Sequence, residues 1–285
     1  MAVITEKKIA VLSNPLAGVG KAVTLGFRIQ ELLQQRQVRF ETFRDHWPEK
    51  LDGFTHVFLS GGDGTMNYFV NQYPDCRIPI TLFNGGTGND LHWALYGKMT
   101  TEAQVEHALD ADPRPLDAGS CNGKLFMNGL GIGFEGQIAR DLTGKKKAPG
   151  KISFMRSVLK NILFYRSNVY TISMNGKDIR EKCLFISIMN GKRAGGGFYI
   201  SPESVITDGK LDVIRIGKIT PVMRLRYLPV IEKGKHLSLP FVHPGRADSI
   251  TIGSEQEIRY HLDGEYHSAT HLQIECLPAK FLFHY

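Results

Sequence analysis

The chain has no apolar run approaching the roughly 20 residues that a membrane-spanning helix requires. Its 285 residues are 42% hydrophobic and 22% charged, which is close to soluble globular averages and excludes collagen-like and disordered classes. Only four cysteines occur, Cys76, Cys121, Cys183 and Cys276, with no C-x-x-C pair and no histidine at ligand spacing. A zinc site or a redox motif is therefore not expected. In the N-terminal MAVITEKKIAVLSNP, charged residues interrupt any h-region before secretory length, and the expected location is cytoplasmic. There is no internal repeat and no low-complexity segment. Acidic residues are also outnumbered: the net charge of +7 points to a polyanionic partner, whether phosphate ester, anionic lipid headgroup or nucleic acid. No aromatic-and-basic stacking motif supports nucleic acid.

The first third alternates short apolar or β-branched runs with helical patterns. KIAVLS (8–13), a helix from about Val19 to Arg36, VRFETF (38–43), HVFLS (56–60), a helix from about Thr65, PITLF (79–83), and helices from about Asn89 and Thr101 follow one another. Strands separated by helices predict a Rossmann-like parallel sheet, whose ligands bind beyond the carboxyl ends of the strands. After Pro113 and Pro115 the pattern changes to strand-like runs joined by turn residues, including Asn122-Gly123 and Asn175-Gly176, dipeptides suited to tight hairpins. The fold expected from the pattern is an α/β N-terminal domain plus a mostly antiparallel C-terminal domain, sandwich or barrel-like, the latter interrupted by helices near 134–142 and 152–166.

Four glycine clusters stand out: NPLAGVGK (14–21), SGGDGT (60–65), NGGTGND (84–90) and GKRAGGGF (191–198). The first three each follow a predicted strand and precede a helix. Such a loop aims unpaired backbone N–H groups and a helix dipole at one spot, and glycine lets the backbone approach a phosphate without a Cβ in the way. Three of them on one sheet edge predict a polyphosphate site. Asp63 could bind Mg²⁺ through water or accept a proton from an attacking hydroxyl, and Thr65 and Thr87 offer hydroxyls to phosphate oxygens. The P-loop pattern fails, because Ala22 follows Gly20-Lys21 and Pro15 occupies the position of the first glycine. GIGFEG (131–136) matches G-x-G-x-x-G, but the segment about 20 residues on has no acid for a ribose and no second βαβ unit follows.

SGGDGT with NGGTGND, NPLAG upstream, and GGGFYISPESVITDGKLDV and LDGE downstream resembles the soluble bacterial lipid kinases of the diacylglycerol kinase and sphingosine kinase superfamily, of the YegS/BmrU type. GGDGT alone also occurs in NAD kinases and phosphofructokinases; GTGND, the segment from GGG to DGKLDV, and LDGE make the resemblance specific. It implies ATP and Mg²⁺, with the nucleotide against Asn14, Pro15, Leu16, Ala17 and Gly18, Thr42, the loop Gly61, Gly62, Asp63, Gly64, Thr65, Met66 and Asn67, and Thr87. It implies Glu265 as proton acceptor, Asp63 as an acid serving the base or the metal, and a structural Mg²⁺ on the Asp208 carboxylate with carbonyls near Val205 and Lys210. It also implies an α/β N-terminal nucleotide-binding kinase domain of 1–115, to which the last strand, 278–285, returns, and a C-terminal β-sandwich of 116–277 as the lipid-substrate domain. This sequence departs from the family where many members have a proline before GTGND, and at His92-Trp93, where a small residue and arginine are usual.

Phosphoryl transfer needs in-line positioning and charge neutralisation more than covalent help. A lipid acceptor adds an apolar cleft and a way to meet the anionic inner membrane surface without a span. MRSVLKNILFYRS (155–167) places apolar residues at 155, 158, 159, 162 and 163 on one helical face, flanked by Arg156, Lys160 and Arg166, near the basic loop GKKKAPGK (144–151). That helix could equally pack on the sandwich. His261, His267 and His271 form no ligand pattern and read as ordinary strand positions. The expected partners are ATP, a lipid substrate (diacylglycerol-like, phosphatidylglycerol or a sphingoid base) and the membrane surface, with no nucleic acid and with a homodimer left open. A kinase of a soluble metabolite such as NAD, or a non-catalytic lipid- or nucleotide-binding regulator, are the alternatives.

Overall fold

The computed structural model describes residues 7–143 and 151–285. They form two compact units, Met1–Leu116 with Ala279–Tyr285, and Asp117–Pro278.

The first unit runs β1 (Lys8–Ser13), a 3₁₀ turn (Ala17–Gly20), α1 (Lys21–Gln35), β2 (Arg39–Phe43), β3 (His56–Gly61), α2 (Asp63–Gln72), β4 (Ile80–Asn84), α3 (Asp90–Tyr96) and α4 (Thr101–Asp110). β1 pairs with both β2 and β3, and β3 with β4, all parallel. The strand sequences explain this arrangement. VFLSG in β3 and IAVLS in β1 are wholly buried, as strands covered by helices on both faces must be. α1 buries Ile29, Leu32 and Leu33, on one stripe with Ala22 at helical spacing, and the first three pack in a core with Val11, Phe58, Phe83 and Val105. The chain's final segment joins this unit through Phe283, paired parallel beside Ile80.

The second unit is β-sandwich-like. It contains β5 (Arg114–Cys121), β6 (Lys124–Phe126), β7 (Gly129–Gly133), α5 (Phe134–Leu142), α6 (Lys151–Phe164), β8 (Asn168–Met174), β9 (Lys177–Met189), β10 (Leu211–Gly217), α7 (Pro221–Glu232), β11 (Val242–Ala247), β12 (Ser249–Leu262) and β13 (Glu265–Phe283), the last continuing into the first unit. The long strands β9 and β12 each pair antiparallel with both β7 and β8, so these four close a ring. Its interior is filled by Leu130, Ile132, Ile172, Ile186, Ile188, Ile250 and Ile252. Alternate residues of β9 and β10, Leu184, Ile214 and Ile216 among them, face the other way and pack against α5, α6 and α7 through Ile138, Val158, Ile162 and Ile231.

Several expectations change in detail. The helix after SGG begins at Asp63 rather than Thr65, which puts Asp63, Gly64 and Thr65 in its first turn. The strand-like runs of the tail merge: β12 is one strand bulged between Gly253 and Ile258, and β13 spans Glu265–Phe283. α7 and β11 were not anticipated. Thr220 accepts the N–H of Met223 and Pro221 occupies the first helical turn, which are legible start signals. The apolar residues of α7, however, are spread around its axis. β11 contains Pro244 and Gly245 and, among the described residues, pairs only with β10, an edge position where proline is tolerated. The apolar residues of α6 do not share one buried face: Val158 and Ile162 are buried, whereas Leu159 and Leu163 are exposed. The basic segment 144–151 lies outside the residues whose side chains are described.

Candidate active site

In the first unit the three glycine loops touch backbone to backbone. A Cβ on Gly18, at φ +58°, would lie 2.3 Å from the Gly85 carbonyl oxygen; one on Gly85 would lie 2.9 Å from the Gly61 nitrogen; one on Gly62 would lie 2.8 Å from the Gly86 Cα. Gly85 also donates its N–H to the Gly61 carbonyl at 2.8 Å. Glycine is required here by loop-on-loop packing, which also brings NPLAG, GGDGT and NGGTGND to one place at the ends of β1, β3 and β4. Neither α1 nor α2 has a side-chain cap: Gly20 and Gly62 precede them, and while the Lys21 N–H of α1 is already bonded to the Gly18 carbonyl, the first-turn amides of α2 are placed to meet another acceptor.

Side chains stitch the same loops together. Asn14 donates from Nδ2 to Thr65 Oγ1 at 2.9 Å, and its Oδ1 accepts the Leu16 N–H at 2.9 Å. Asp63 accepts the N–H of Asp90 on Oδ2 and of Leu91 on Oδ1, each at 3.1 Å, so it supplies the cap that α3 otherwise lacks. Asn89, in the left-handed region at φ +54°, closes its loop through Gly86 in both directions at 2.9 Å. Beneath, His92 is buried with Nε2 3.2 Å from Gln104 Oε1, and burial holds its pKa below the usual imidazole value.

Of the residues expected to meet a nucleotide, Pro15, Leu16 and Thr87 are exposed on the loops. Asn14, Ala17, Gly18, Thr42, Asp63 and Gly64 are half-buried, while Gly61, Gly62, Thr65, Met66 and Asn67 are buried. Met66 is fully buried and presents no side-chain surface. Lys21 was missed. It opens α1, exposed, and donates from Nζ to Asn84 Oδ1 at 3.2 Å, which places an ammonium at the loop cluster. Its sequence signal is Gly20-Lys21 following β1, the end of a P-loop-like pattern whose other positions do not match.

In the second unit LDGE is the β12–β13 hairpin turn. Asp263 and Gly264 form its tip with positive φ, +48° and +94°, and Glu265, the first residue of β13, is exposed beside it. Asp263 fastens this turn to the chain before β7, with Oδ2 accepting the Met127 N–H at 2.8 Å and Oδ1 those of Asn128 and Gly129 at 2.9 Å. His261 adds a second hold. Its Nδ1 accepts the Gly264 N–H at 3.2 Å, and its Nε2 lies 3.6 Å from Glu135, whose other oxygen accepts the Ser187 hydroxyl at 2.7 Å. The glycines of GIGFEG allow this packing: a Cβ on Gly131 would lie 1.9 Å from Glu135 Oε2, and one on Gly136 would lie 2.1 Å from the Arg259 carbonyl oxygen. Asn190 continues the web, donating to the carbonyls of Asp117 at 2.9 Å and Met127 at 2.7 Å, and Asp117 accepts the Gly209 N–H at 2.7 Å.

Asp208 lies next to that glycine. It accepts the Lys210 N–H at 3.0 Å and is ion-paired with Arg246. The Asp212 carboxyl is raised above its ordinary value by burial, to which Asp208 and Glu203 add repulsion. No group of three or more His, Cys, Asp or Glu residues is placed to hold a metal among the described residues. The ligand set implied for Mg²⁺ is of another kind, one carboxylate with main-chain carbonyls, hard oxygen donors in an acidic neighbourhood that suits that ion.

Residues 8–121 match the diacylglycerol kinase catalytic domain, and residues 129–283 match the YegS C-terminal NAD kinase beta sandwich-like domain. The chain belongs to the diacylglycerol kinase and YegS-like lipid kinase family. Among curated members of this lipid kinase family, a diacylglycerol kinase of Mycobacterium tuberculosis is 26% identical over 95% of this chain and 93% of its own. That of Bacillus subtilis is 24% identical over 75% of this chain and 72% of its own. A "Probable lipid kinase YegS-like" of Pseudomonas savastanoi pv. phaseolicola is 28% identical over 81% and 76%. A solved structure of a diacylglycerol kinase from Bacillus anthracis str. Sterne shares the fold at TM-score 0.73 and 21% identity, covering 98% of this chain and 97% of that one. A second from the same organism reaches TM-score 0.80 at 22% identity, covering 100% and 98%. No helix among the described residues is long and apolar enough to cross a membrane.

Proposed function

We propose that this lipid kinase family member transfers the γ-phosphoryl group of ATP to a hydroxyl of a membrane lipid, diacylglycerol-like, phosphatidylglycerol or a sphingoid base. The observation that carries the reading is the contact of the three glycine loops in one place beside the α2 N-terminus, which has no side-chain cap. We assign nucleotide binding to the Rossmann-like part, 1–115 completed by 278–285, and lipid recognition to 116–277. Backbone amides of the α2 first turn and the Lys21 ammonium would neutralise the polyphosphate, with Asn14, Thr65 and Thr87 as hydrogen-bonding partners. Asp63 holds the loops in register. Glu265, solvent-accessible and carried on a doubly fastened turn, is assigned as the base that takes the proton of the acceptor hydroxyl. Mg²⁺ would supply charge neutralisation when bound with ATP, and a second ion is assigned to Asp208 and the carbonyls near Val205 and Lys210, where Asp212 and Glu203 add negative charge around the Asp208–Arg246 pair. The enzyme would meet its substrate at an anionic membrane surface on the cytoplasmic side.

The test is incubation of the full chain with labelled ATP, Mg²⁺ and a total lipid extract, with products identified by mass. A labelled lipid is the expected outcome. Label appearing only in NADP when NAD is supplied would replace the lipid acceptor with a soluble one. Nucleotide binding without any labelled product would leave a non-catalytic regulator.

A further inference from the structure

On the helical side of the second unit, α6 and α7 bury Val158, Ile162 and Ile231 together. Their outer faces carry a different chemistry. Along α6 the exposed residues Arg156, Leu159, Lys160, Leu163 and Phe164 line one face, with Leu159, Leu163 and Phe164 at 43%, 59% and 74% exposure. On α7, Val222 and Leu225 are 77% and 55% exposed beside Arg226. No carboxylate lies within 155–164 or 221–229. The two faces are held together by Arg224, whose buried guanidinium donates to the carbonyls of Ile162 at 3.1 Å, Tyr165 at 2.8 Å and Ile219 at 3.2 Å. Exposed leucine and phenylalanine interleaved with cations, without acids, is the composition of a helix that lies in a lipid interface.

An open pocket of about 450 Å³ adjoins the C-terminal end of α6. Lys160, Arg166 and Arg259 line it against one carboxylate, Glu257, and Phe164 forms part of its wall. These cations are not equally engaged. Lys160 is 3.2 Å from Asp141 Oδ2, which Asn161 also reaches at 3.0 Å. Arg259 donates from Nη1 to Gln137 at 2.6 Å, and its Nε is buried without a hydrogen bond, 3.6 Å from Glu257. Arg166 is exposed and has no ion pair or hydrogen bond among the described residues. Phe164 joins the cation-lined pocket to the apolar face.

We infer that this pocket binds the phosphate of an anionic glycerophospholipid headgroup, with the Leu159, Leu163, Phe164, Val222 and Leu225 surface lying against the acyl layer. A phospholipid in a bilayer presents this pairing of a phosphate anion with hydrocarbon beside it, and the guanidinium fork matches phosphate oxygens. A partner helix would use the apolar face but not the pocket; a nucleic acid would use the cations but not the exposed leucines. The site goes beyond the kinase reading and does not depend on turnover.

The test is sedimentation of the full chain, without ATP, on vesicles of phosphatidylcholine with roughly one third phosphatidylglycerol, and on phosphatidylcholine alone, at about 0.1 M and about 0.5 M salt. Binding to the anionic vesicles only is expected. A generic cation near a membrane is worth roughly fivefold in affinity and is screened by salt. Arg156→Gln, on the same face but outside the pocket lining, should show only that effect. Arg166→Gln should lose about tenfold or more and keep the deficit at the higher salt, as a charge-assisted hydrogen bond does. Phe164→Ser should lose vesicle binding while glycerol phosphate still raises its melting temperature as in the parent. Equal losses for Arg156→Gln and Arg166→Gln that vanish in salt would overturn the pocket. Stabilisation by glycerol phosphate with no vesicle binding would reassign it to a soluble phosphate ester, and binding to neither probe would overturn it outright. Folding is checked by circular dichroism, since the substituted side chains are exposed. Because no step uses ATP, a failed labelling experiment leaves this result standing and the reverse.

Discussion

The Asp63 carboxylate accepts the backbone N–H of Leu91 at 3.1 Å, so the acid of one glycine loop caps the helix opened by another. Asp63→Ala removes both cap bonds of α3 and should lower stability by about 1–2 kcal/mol. Asp63→Asn keeps one acceptor oxygen and should lose about half as much. Both should weaken Mg²⁺-dependent turnover, because the loops lose their common register. Urea melts of the two variants decide the structural part: midpoints equal to the parent's would leave Asp63 without a scaffolding role.

Gly62 faces the Gly86 Cα so closely that any Cβ forces the GGDGT and NGGTGND loops apart. Gly62→Val should therefore lower ATP affinity by roughly tenfold or more and destabilise the first unit by about 2 kcal/mol. Calorimetric ATP binding by a folded Gly62→Val variant at parental affinity would remove these loops from the phosphate site.

Strands and helices of the first unit were legible because buried parallel strands are short continuous apolar runs, and KIAVLS is a strand over the residues the pattern marks, 8–13. The hairpin turns Asn122-Gly123 and Asn175-Gly176 were legible for the same local reason, and all four residues take positive φ. What pattern could not supply was partnership at long range. Asp263 looks like any turn aspartate until its three amide partners, some 135 residues away in sequence, are in place. His261 reads as a strand position, yet its ring holds the same turn. The glycines were rightly singled out for close approach, but the groups approached in the fold are other loops. α7 escaped because its apolar residues follow no single face and Pro229 sits inside it.

His56 and His284 stack with ring centroids 5.2 Å apart inside the first unit. Burial lowers both to about 4; each also faces the Lys7 ammonium, His56 is further lowered by His284, and His284 feels His107 against an opposing Asp112. Both rings are thus neutral in the fold, while in the unfolded chain they take protons near the ordinary value of about 6.5. The sign follows: their contribution is full above about pH 6.5 and is lost as pH falls towards 4, by at most about 3 kcal/mol per ring and less than twice that for the coupled pair. His284→Phe keeps an aromatic ring against His56 and should flatten the loss of stability between about pH 6.5 and about pH 4.5. Equal slopes for parent and variant in urea melts across that range would exclude the pair as the acid-labile element.

Glu265 and Asp263 share one hairpin turn but have opposite surroundings, and this separates chemistry from scaffold. Asp263 accepts three backbone N–H groups, and its removal leaves those donors unpaired beside a turn in the left-handed region. Asp263→Ala should cost about 2–4 kcal/mol and reduce turnover by displacing the turn. Glu265 is exposed, and among the described residues none is within ion-pair distance of it. Glu265→Gln should leave the melting temperature within about 1 °C of the parent, because exposed substitutions away from caps and cores change stability by under about 0.5 kcal/mol. If Glu265 takes the acceptor proton, the same variant should bind ATP normally and lose roughly 10²-fold or more in kcat with an accepted lipid. Parental kcat in Glu265→Gln would return the base assignment to Asp63. A loss of kcat accompanied by a fall in melting temperature as large as that of Asp263→Ala would make Glu265 part of the scaffold instead.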